Sequence, residues 1–347
     1  MQFGVFLAAQ NIRRDRSATE LYGELLEQAV LAEELGFDCV WLPEHHFVHY
    51  ISVPDLLQLT IAVADRTKTI RIGGAIFITA FHHPLLLAGS IGEADHLTRG
   101  RFEPGFGKGA VKHELRLLQM PLSEEERQER FVEFVDVIEN VWARDAMTDF
   151  HGKYFDFTGA YVVPRPHSKP HPRFWIAATT PATSAWAGRR GFNLMFASFR
   201  NPFARIEEGY RAWEGAGGHR PGSHGRTMFM TNRITYVAPT MEETREFLPY
   251  LHEMHRISAA GQVDRERVVD GVRIPQVNLD MTDEELLNNL PIGDPATVAE
   301  KVAAYAQLGV DQLSLYASIG QPHRSVLRSL ELFATHVMPH FRESGPR

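Results

Sequence analysis

A carboxylate and two imidazoles follow directly on an apolar run in Trp41-Leu42-Pro43-Glu44-His45-His46-Phe47. Imidazole titrates near neutrality, so His45 or His46 can donate or accept a proton at working pH, and Glu44 can orient a neighbour by hydrogen bonding. A second group runs from Asp95 to Gly109 and reads as a helix end, a turn, a strand and a glycine-rich basic loop. Its glycines would let backbone approach a ligand, and Lys108 offers a fixed positive charge to a phosphate. A third, Thr179-Thr180-Pro181-Ala182-Thr183-Ser184, follows an apolar strand and opens a helix. Hydroxyls and free backbone N–H groups there could hold an anion, although the same residues also suit an ordinary N-cap.

The elements that must position these groups announce themselves through a joint that occurs three times. An amphipathic helix ends at glycine and an apolar strand begins just after it: Leu35-Gly36-Phe37 before Cys39-Val40-Trp41, Arg190-Gly191-Phe192 before Leu194-Met195-Phe196, and Leu308-Gly309-Val310 before Gln312–Leu315. Glycine supplies the left-handed conformation that ends a helix, and the bounded apolar runs are strand-like. Further strands are expected near Phe3–Leu7, Ile70–Ile76, Phe102–Phe106, Phe174–Ala177 and Met228–Val237, eight in all. Ser17 with Glu20 reads as a capping box, and Pro54, Pro84 and Pro295 stand near the first turns of later helices. Alternation of this kind selects a parallel barrel or a doubly wound sheet, and no dinucleotide fingerprint follows the first strand. The expected fold is α/β, a (β/α)8 TIM barrel in one domain spanning residues 1–347. Two arrhythmic stretches, 150–172 after the fourth strand and 260–294 after the seventh, are expected to be insertions at the active site.

In such a barrel the Glu44-His45-His46 cluster falls at a strand's C-terminal end, the catalytic face. The cluster also invites a metal, with His49, His82 and His83 as further ligands. No metal is expected, because the last strand is followed by Ala317 and Ser318 and brings no late acidic ligand. The single cysteine, Cys39, lies in an apolar segment and reads as a buried inert thiol. A net charge of −7 without a long basic block argues against nucleic acid and gives no reason to expect an anionic membrane. No apolar run approaches the length of a membrane span, and the N-terminus lacks the features of a signal peptide, so a cytoplasmic location is expected.

Taken in order, several of these segments resemble the luciferase-like flavin-dependent monooxygenases, especially the FMN-using branch near bacterial luciferase. The resemblance is carried by Phe3–Leu7, Gly36-Phe37-Asp38, Glu44–Phe47, Gly73-Gly74-Ala75-Ile76, His83-Pro84, Asp95–Lys108, the threonine-rich turn before Trp186, and Val337-Met338-Pro339. It implies that His45 is the catalytic imidazole near the flavin's reactive edge, with Glu44 beside it. It implies Lys108 at the FMN phosphate, aided by Thr180 and Thr183, and places Ala75–Ile76 where the family has a non-prolyl cis peptide beneath the flavin ring. His83 is a further candidate for the flavin pocket. Phe106 stands where the light-emitting subunit has a reactive cysteine beside the flavin, so luminescence is not implied, and Thr179 stands where that subunit has a glutamate.

The activity so implied is a two-component reaction. A separate flavin reductase supplies reduced FMN, molecular oxygen adds to it, and the resulting hydroperoxide oxygenates a small organic substrate. Phe47, Phe77, Phe81 and Phe106 are candidates for apolar walls that protect this chemistry from water. A dimer is implied as well. Two other readings are a deazaflavin-dependent oxidoreductase of the same fold and a non-catalytic partner subunit of a flavoenzyme. The Glu44–His46 cluster and Lys108 speak against the last, since a supporting subunit has no need of them.

Overall fold

The protein is described by a computed structural model covering residues 1–109, 111–120, 122–197, 199, 201–260, 267–274 and 281–342. The three glycine joints have their expected left-handed conformation, with φ of 79° at Gly36, 73° at Gly191 and 100° at Gly309. The capping box also forms. Ser17 Oγ accepts the Glu20 N–H, and the Glu20 carboxylate accepts the Ser17 N–H, at the start of α1 (Ala18–Glu34).

The strands of the main sheet are β1 (Gln2–Phe6), β2 (Cys39–Leu42), β3 (Arg71–Gly74), β4 (Phe77–Ile78), β5 (Phe102–Glu103), β6 (Gly105–Gly107), β7 (Trp175–Ala178), β8 (Asn193–Ala197), β9 (Phe229–Ile234) and β10 (Gln312–Tyr316). Two of the eight expected strands are thus each in two pieces. The Ala75–Ile76 peptide, which is cis, lies between β3 and β4. Pro104, which has no N–H to offer a ladder, lies between β5 and β6. Every pairing is parallel: β1 with β2, β2 with β3, β3 with β5 and β4 with β6, β6 with β7, and so on through β10, which pairs with β1. The parallel sheet therefore curls until its first and last strands meet. Helices α1, α2 (Leu56–Arg66), α3 (Pro84–Leu97), α4 (Lys112–Leu117), α5 (Glu124–Ala143), α6 (Pro181–Arg190) and α7 (Phe203–Gly215) lie between successive strands.

Side-chain volume inside the curl is balanced across neighbouring strands. Trp41 of β2 is fully buried and meets Trp175 of β7 edge to face at 5.5 Å. Its indole has room because the flanking strands carry glycine. A Cβ on Gly73 would fall 2.1 Å from Trp41 Cε3, and one on Gly4 2.7 Å from Nε1. At the same end, Arg71 donates to Glu103 and to Gln2, and Trp175 Nε1 donates to Glu103, so a buried carboxylate is fully engaged. Cys39 is buried, and burial pushes its thiol well up, as befits an inert group.

Two expectations about the irregular stretches need correction or restriction. The first stretch begins with an antiparallel hairpin, Thr148–His151 with Asp156–Ala160, and continues along the outside of α3. There Arg165 O lies 2.9 Å from His96 Nε2, and Asp95 accepts from the Ser168 N–H. No residue of 150–172 lines the cavity described below, because the segment is spent covering the outer helices. In the second stretch, 261–266 and 275–280 lie outside the described residues. Between them a hairpin, Arg267–Val269 with Val272–Ile274, reaches the barrel mouth. Among the described residues no helix is long and apolar enough to cross a membrane.

Candidate active site

The chain leaving β2 turns sharply at Phe47, whose φ is 63°, and this turn presents Glu44, His45 and His46 at the C-terminal end of the sheet. Glu44 is buried, and both its oxygens are engaged. Oε2 accepts the Ile78 N–H at 2.8 Å, His46 Nε2 lies 2.9 Å from Oε1, and His82 Nε2 lies within 3.0 Å of both oxygens. Burial by itself would raise this carboxyl, but the hydrogen bonds from His46 and His82 hold it below the ordinary carboxylate range. The same contact with Glu44 raises the His46 imidazole despite its burial. Glu44 is thus a clamp that ties the end of β2 to β4 and to His82.

The partner of His45 is a residue that sequence reasoning missed. Glu114 of α4 is only 1% exposed, and its Oε1 accepts the backbone N–H of His46 at 2.7 Å while lying 2.9 Å from His45 Nδ1. A carboxylate on Nδ1 fixes that nitrogen as the N–H and leaves Nε2 as the ring's acceptor. Glu114 is 69 residues from His45 in sequence, in a stretch whose charged residues resemble any solvated helix, so nothing local marked it.

His45 and Glu44 line a cavity of about 260 Å³ at the barrel mouth. Ala75 and Ile76, joined by the cis peptide, form part of its wall, as do Lys108, Thr179 and Thr183. Gly107 lets the wall close up, since a Cβ there would lie 2.1 Å from Ile76 Cδ1. Lys108 Nζ donates to Glu124 Oε1 at 2.9 Å, and this contact holds the exposed Glu124 carboxyl below its ordinary range. Thr180 does not line the cavity. It is the N-cap of α6, accepting the Thr183 N–H, and stands at the rim beside Thr183.

Three expectations are corrected. Phe106 is fully buried and packs on Phe77, Phe134 and Phe174, turned away from the cavity. Side chains alternate along a strand, so it is Gly107, one residue on, that borders the cavity. His83 also points elsewhere: it accepts the Leu85 N–H as the cap of α3 and rests edge-on against Phe155, and burial lowers its imidazole. The apolar wall is not made of Phe47, Phe77, Phe81 and Phe106, none of which lines the cavity, but of Phe6, Phe131 and Phe199 with Ile76 and Met195. Tyr50, Asn232 and Arg273 also line the cavity, and sequence reasoning named none of them.

A parallel α/β sheet curled on itself, with a histidine held by a buried carboxylate at the carboxyl ends of its strands, is the barrel class in which active sites sit at that end. The chain belongs to the luciferase-like monooxygenase family, which it matches over residues 1–312. It is 24% identical to the oxygenase component of the flavin-dependent trigonelline monooxygenase of Acinetobacter baylyi, over 99% of this chain and 96% of that one. It is 26% identical to an F420-dependent glucose-6-phosphate dehydrogenase of Amycolatopsis mediterranei, over 95% and 98% respectively. Among solved structures it superposes on the monooxygenase RslO1 from Streptomyces bottropensis with a TM-score of 0.84, at 25% identity and over 99% and 100% of the two chains.

Proposed function

We propose that the protein is the oxygenase component of a two-component system, taking reduced FMN from a separate flavin reductase and using it with O2 to oxygenate a small organic substrate. The observation that carries this reading is one cavity lined both by His45, whose Nδ1 is held by Glu114, and by Lys108 and Thr183. The donor set suits FMN. Lys108 and the Thr183 hydroxyl match a phosphate. Asn232 Oδ1 is a buried acceptor with no partner among the described residues, and it matches an amide N–H of the flavin ring. Similarity along the whole chain to a flavin-dependent oxygenase component supports the same choice.

When bound, FMN supplies the electrons that activate oxygen. The protein's part is to position, to exclude water and to manage protons. Phe6, Phe131, Phe199 and Ile76 keep one side of the cavity dry. Glu114 holds the His45 ring with Nε2 as acceptor, so that His45 can take a proton there and return it. Glu44 keeps the loop that carries His45 in register with β4.

Replacing His45 with alanine is expected to leave FMN binding within about threefold while product formation per O2 consumed falls by about a hundredfold, the scale of a lost acid–base group. Oxygen-electrode and hydrogen peroxide assays with the paired reductase measure this coupling, and unchanged coupling would remove His45 from the chemistry. Because F420-dependent relatives exist, the cofactor is tested separately by titrating the protein with FMN and with F420. Preference for F420 would replace the oxygenase reading by hydride transfer.

A further inference from the structure

The ammonium assigned to the cofactor phosphate already carries an anion of the protein's own. Lys108 lines the cavity, and its Nζ donates to Glu124 Oε1 at 2.9 Å. Glu124 stands in the first turn of α5 and is not among the lining residues, so the contact ties the ammonium to a carboxylate outside the cavity. The Glu124 side chain is 76% exposed and that of Lys108 25% exposed. Arg127, three residues along α5 and largely buried, holds the same region: its Nη2 lies 3.8 Å from Glu124 Oε2, and its Nη1 donates to Gly109 O at 3.3 Å. Lys108 and Gly109 are thus each fastened to α5. Gly109, whose φ is 75°, is also pressed on β4, where a Cβ would fall 2.6 Å from Ile78 Cγ2.

Glu124 is not the residue that starts its helix. The capping box of α5 is made by Ser123 and Glu126, each accepting the other's backbone N–H. A phosphate that reaches Lys108 must therefore deal with a carboxylate whose own contact is the Lys108 ion pair. Either it displaces Glu124 and the pair is lost, or the ammonium, with its three N–H donors, serves both anions and two negative groups face each other. Both arrangements weaken phosphate binding.

From this geometry we infer that Glu124 is an internal competitor for the cofactor phosphate and sets the affinity of the site for FMN by acting through Lys108. Lys108 is taken from the proposed function as the residue at the FMN phosphate, and the inference rests on that reading. The contact suits a flavin that enters reduced and leaves oxidised in each turnover: Glu124 takes the ammonium back as the phosphate departs, so the cofactor exchanges and is not retained. Exposed ion pairs are worth a few-fold at most in an equilibrium, so the expected effect is about threefold.

The test titrates the full-length protein anaerobically with reduced FMN and with reduced riboflavin, which lacks the phosphate. Glu124→Gln is expected to bind reduced FMN about threefold more tightly than the parent and to leave riboflavin binding unchanged, and Glu124→Ala to do the same. In a Lys108→Met background the Glu124 substitution is expected to gain nothing, since the partner through which it acts is gone. Glu125→Gln, which removes the same charge from the same turn and leaves the Lys108–Glu124 pair in place, is expected to match the parent. Melting curves confirm that each variant folds. A gain for FMN below about twofold overturns the inference, as does a gain shared by riboflavin, one reproduced by Glu125→Gln, or one that persists without Lys108. Each of these results leaves FMN binding, and with it the proposed function, in place. A parent protein that binds no reduced FMN removes both.

Discussion

The two histidines that follow Glu44 have different partners and so different behaviour with pH. His46 pairs with Glu44, which raises the imidazole above its ordinary value while the carboxyl is held below its own. The contribution of His46 to stability is complete below the ordinary imidazole pKa and is lost as pH rises through the raised folded-state value. That of Glu44 is complete above the ordinary carboxylate range and is lost as pH falls through its depressed value. Between these two limits the pair stabilises the loop that carries His45. His46→Gln is therefore expected to lower stability by about 1–2 kcal/mol at pH 6 and by less at pH 9. Denaturant titrations at the two pH values read this directly, and an equal loss at both would show that the ion pair contributes nothing. At this scale the sequence was legible where chemistry-bearing residues are contiguous, as in Glu44-His45-His46. It was not legible for Glu114, Asn232 or Arg273, whose roles come from contacts across long stretches of chain. Phe106 failed for a different reason: a one-residue step along a strand reverses the face, and only the register places Gly107 against the cavity.

At the scale of elements, helix ends and strand starts were readable because glycine and capping residues act locally, as Gly36, Gly191, Gly309 and Ser17 each do. Strand interruptions were not, and the expected strands near Ile70–Ile76 and Phe102–Phe106 are both divided. The glycines of β3 have a tertiary reason that no local rule contains, since Gly73 makes room for the Trp41 indole. Gly73→Ala would place a methyl group inside the buried ring's van der Waals boundary. It is expected to cost about 1–3 kcal/mol, the usual penalty of overpacking, and to lower the melting temperature by several degrees. A melting curve unchanged from that of the parent would mean that β2 or Trp41 can shift freely, contrary to the packing described. The aromatic and proline-rich stretch 150–172 looked functional because of its composition, yet it covers α3, with the Pro164 carbonyl against Gly92. Long irregular segments of this kind cannot be sorted into lids and braces until the fold shows which end of the barrel they reach.

At the scale of the molecule, a curled parallel sheet brings loops from distant parts of the chain to one mouth. The loop after β2 brings His45, the segment after β6 brings Lys108 and Glu114, the start of α6 brings Thr183, and the hairpin beyond β9 brings Arg273. Each alone is an ordinary side chain, and their convergence is what makes a flavin-dependent oxygenase the reading the site supports. On this reading the mouth binds reduced FMN and governs its reaction with oxygen. The most direct test is stopped-flow absorbance: protein and reduced FMN, mixed anaerobically, are exposed to O2 and flavin reoxidation is followed against free reduced FMN. Saturable binding is expected, with a time course for flavin reoxidation clearly distinct from that of free flavin and altered again in His45→Ala. Reoxidation identical to that of free flavin at saturating protein would contradict it.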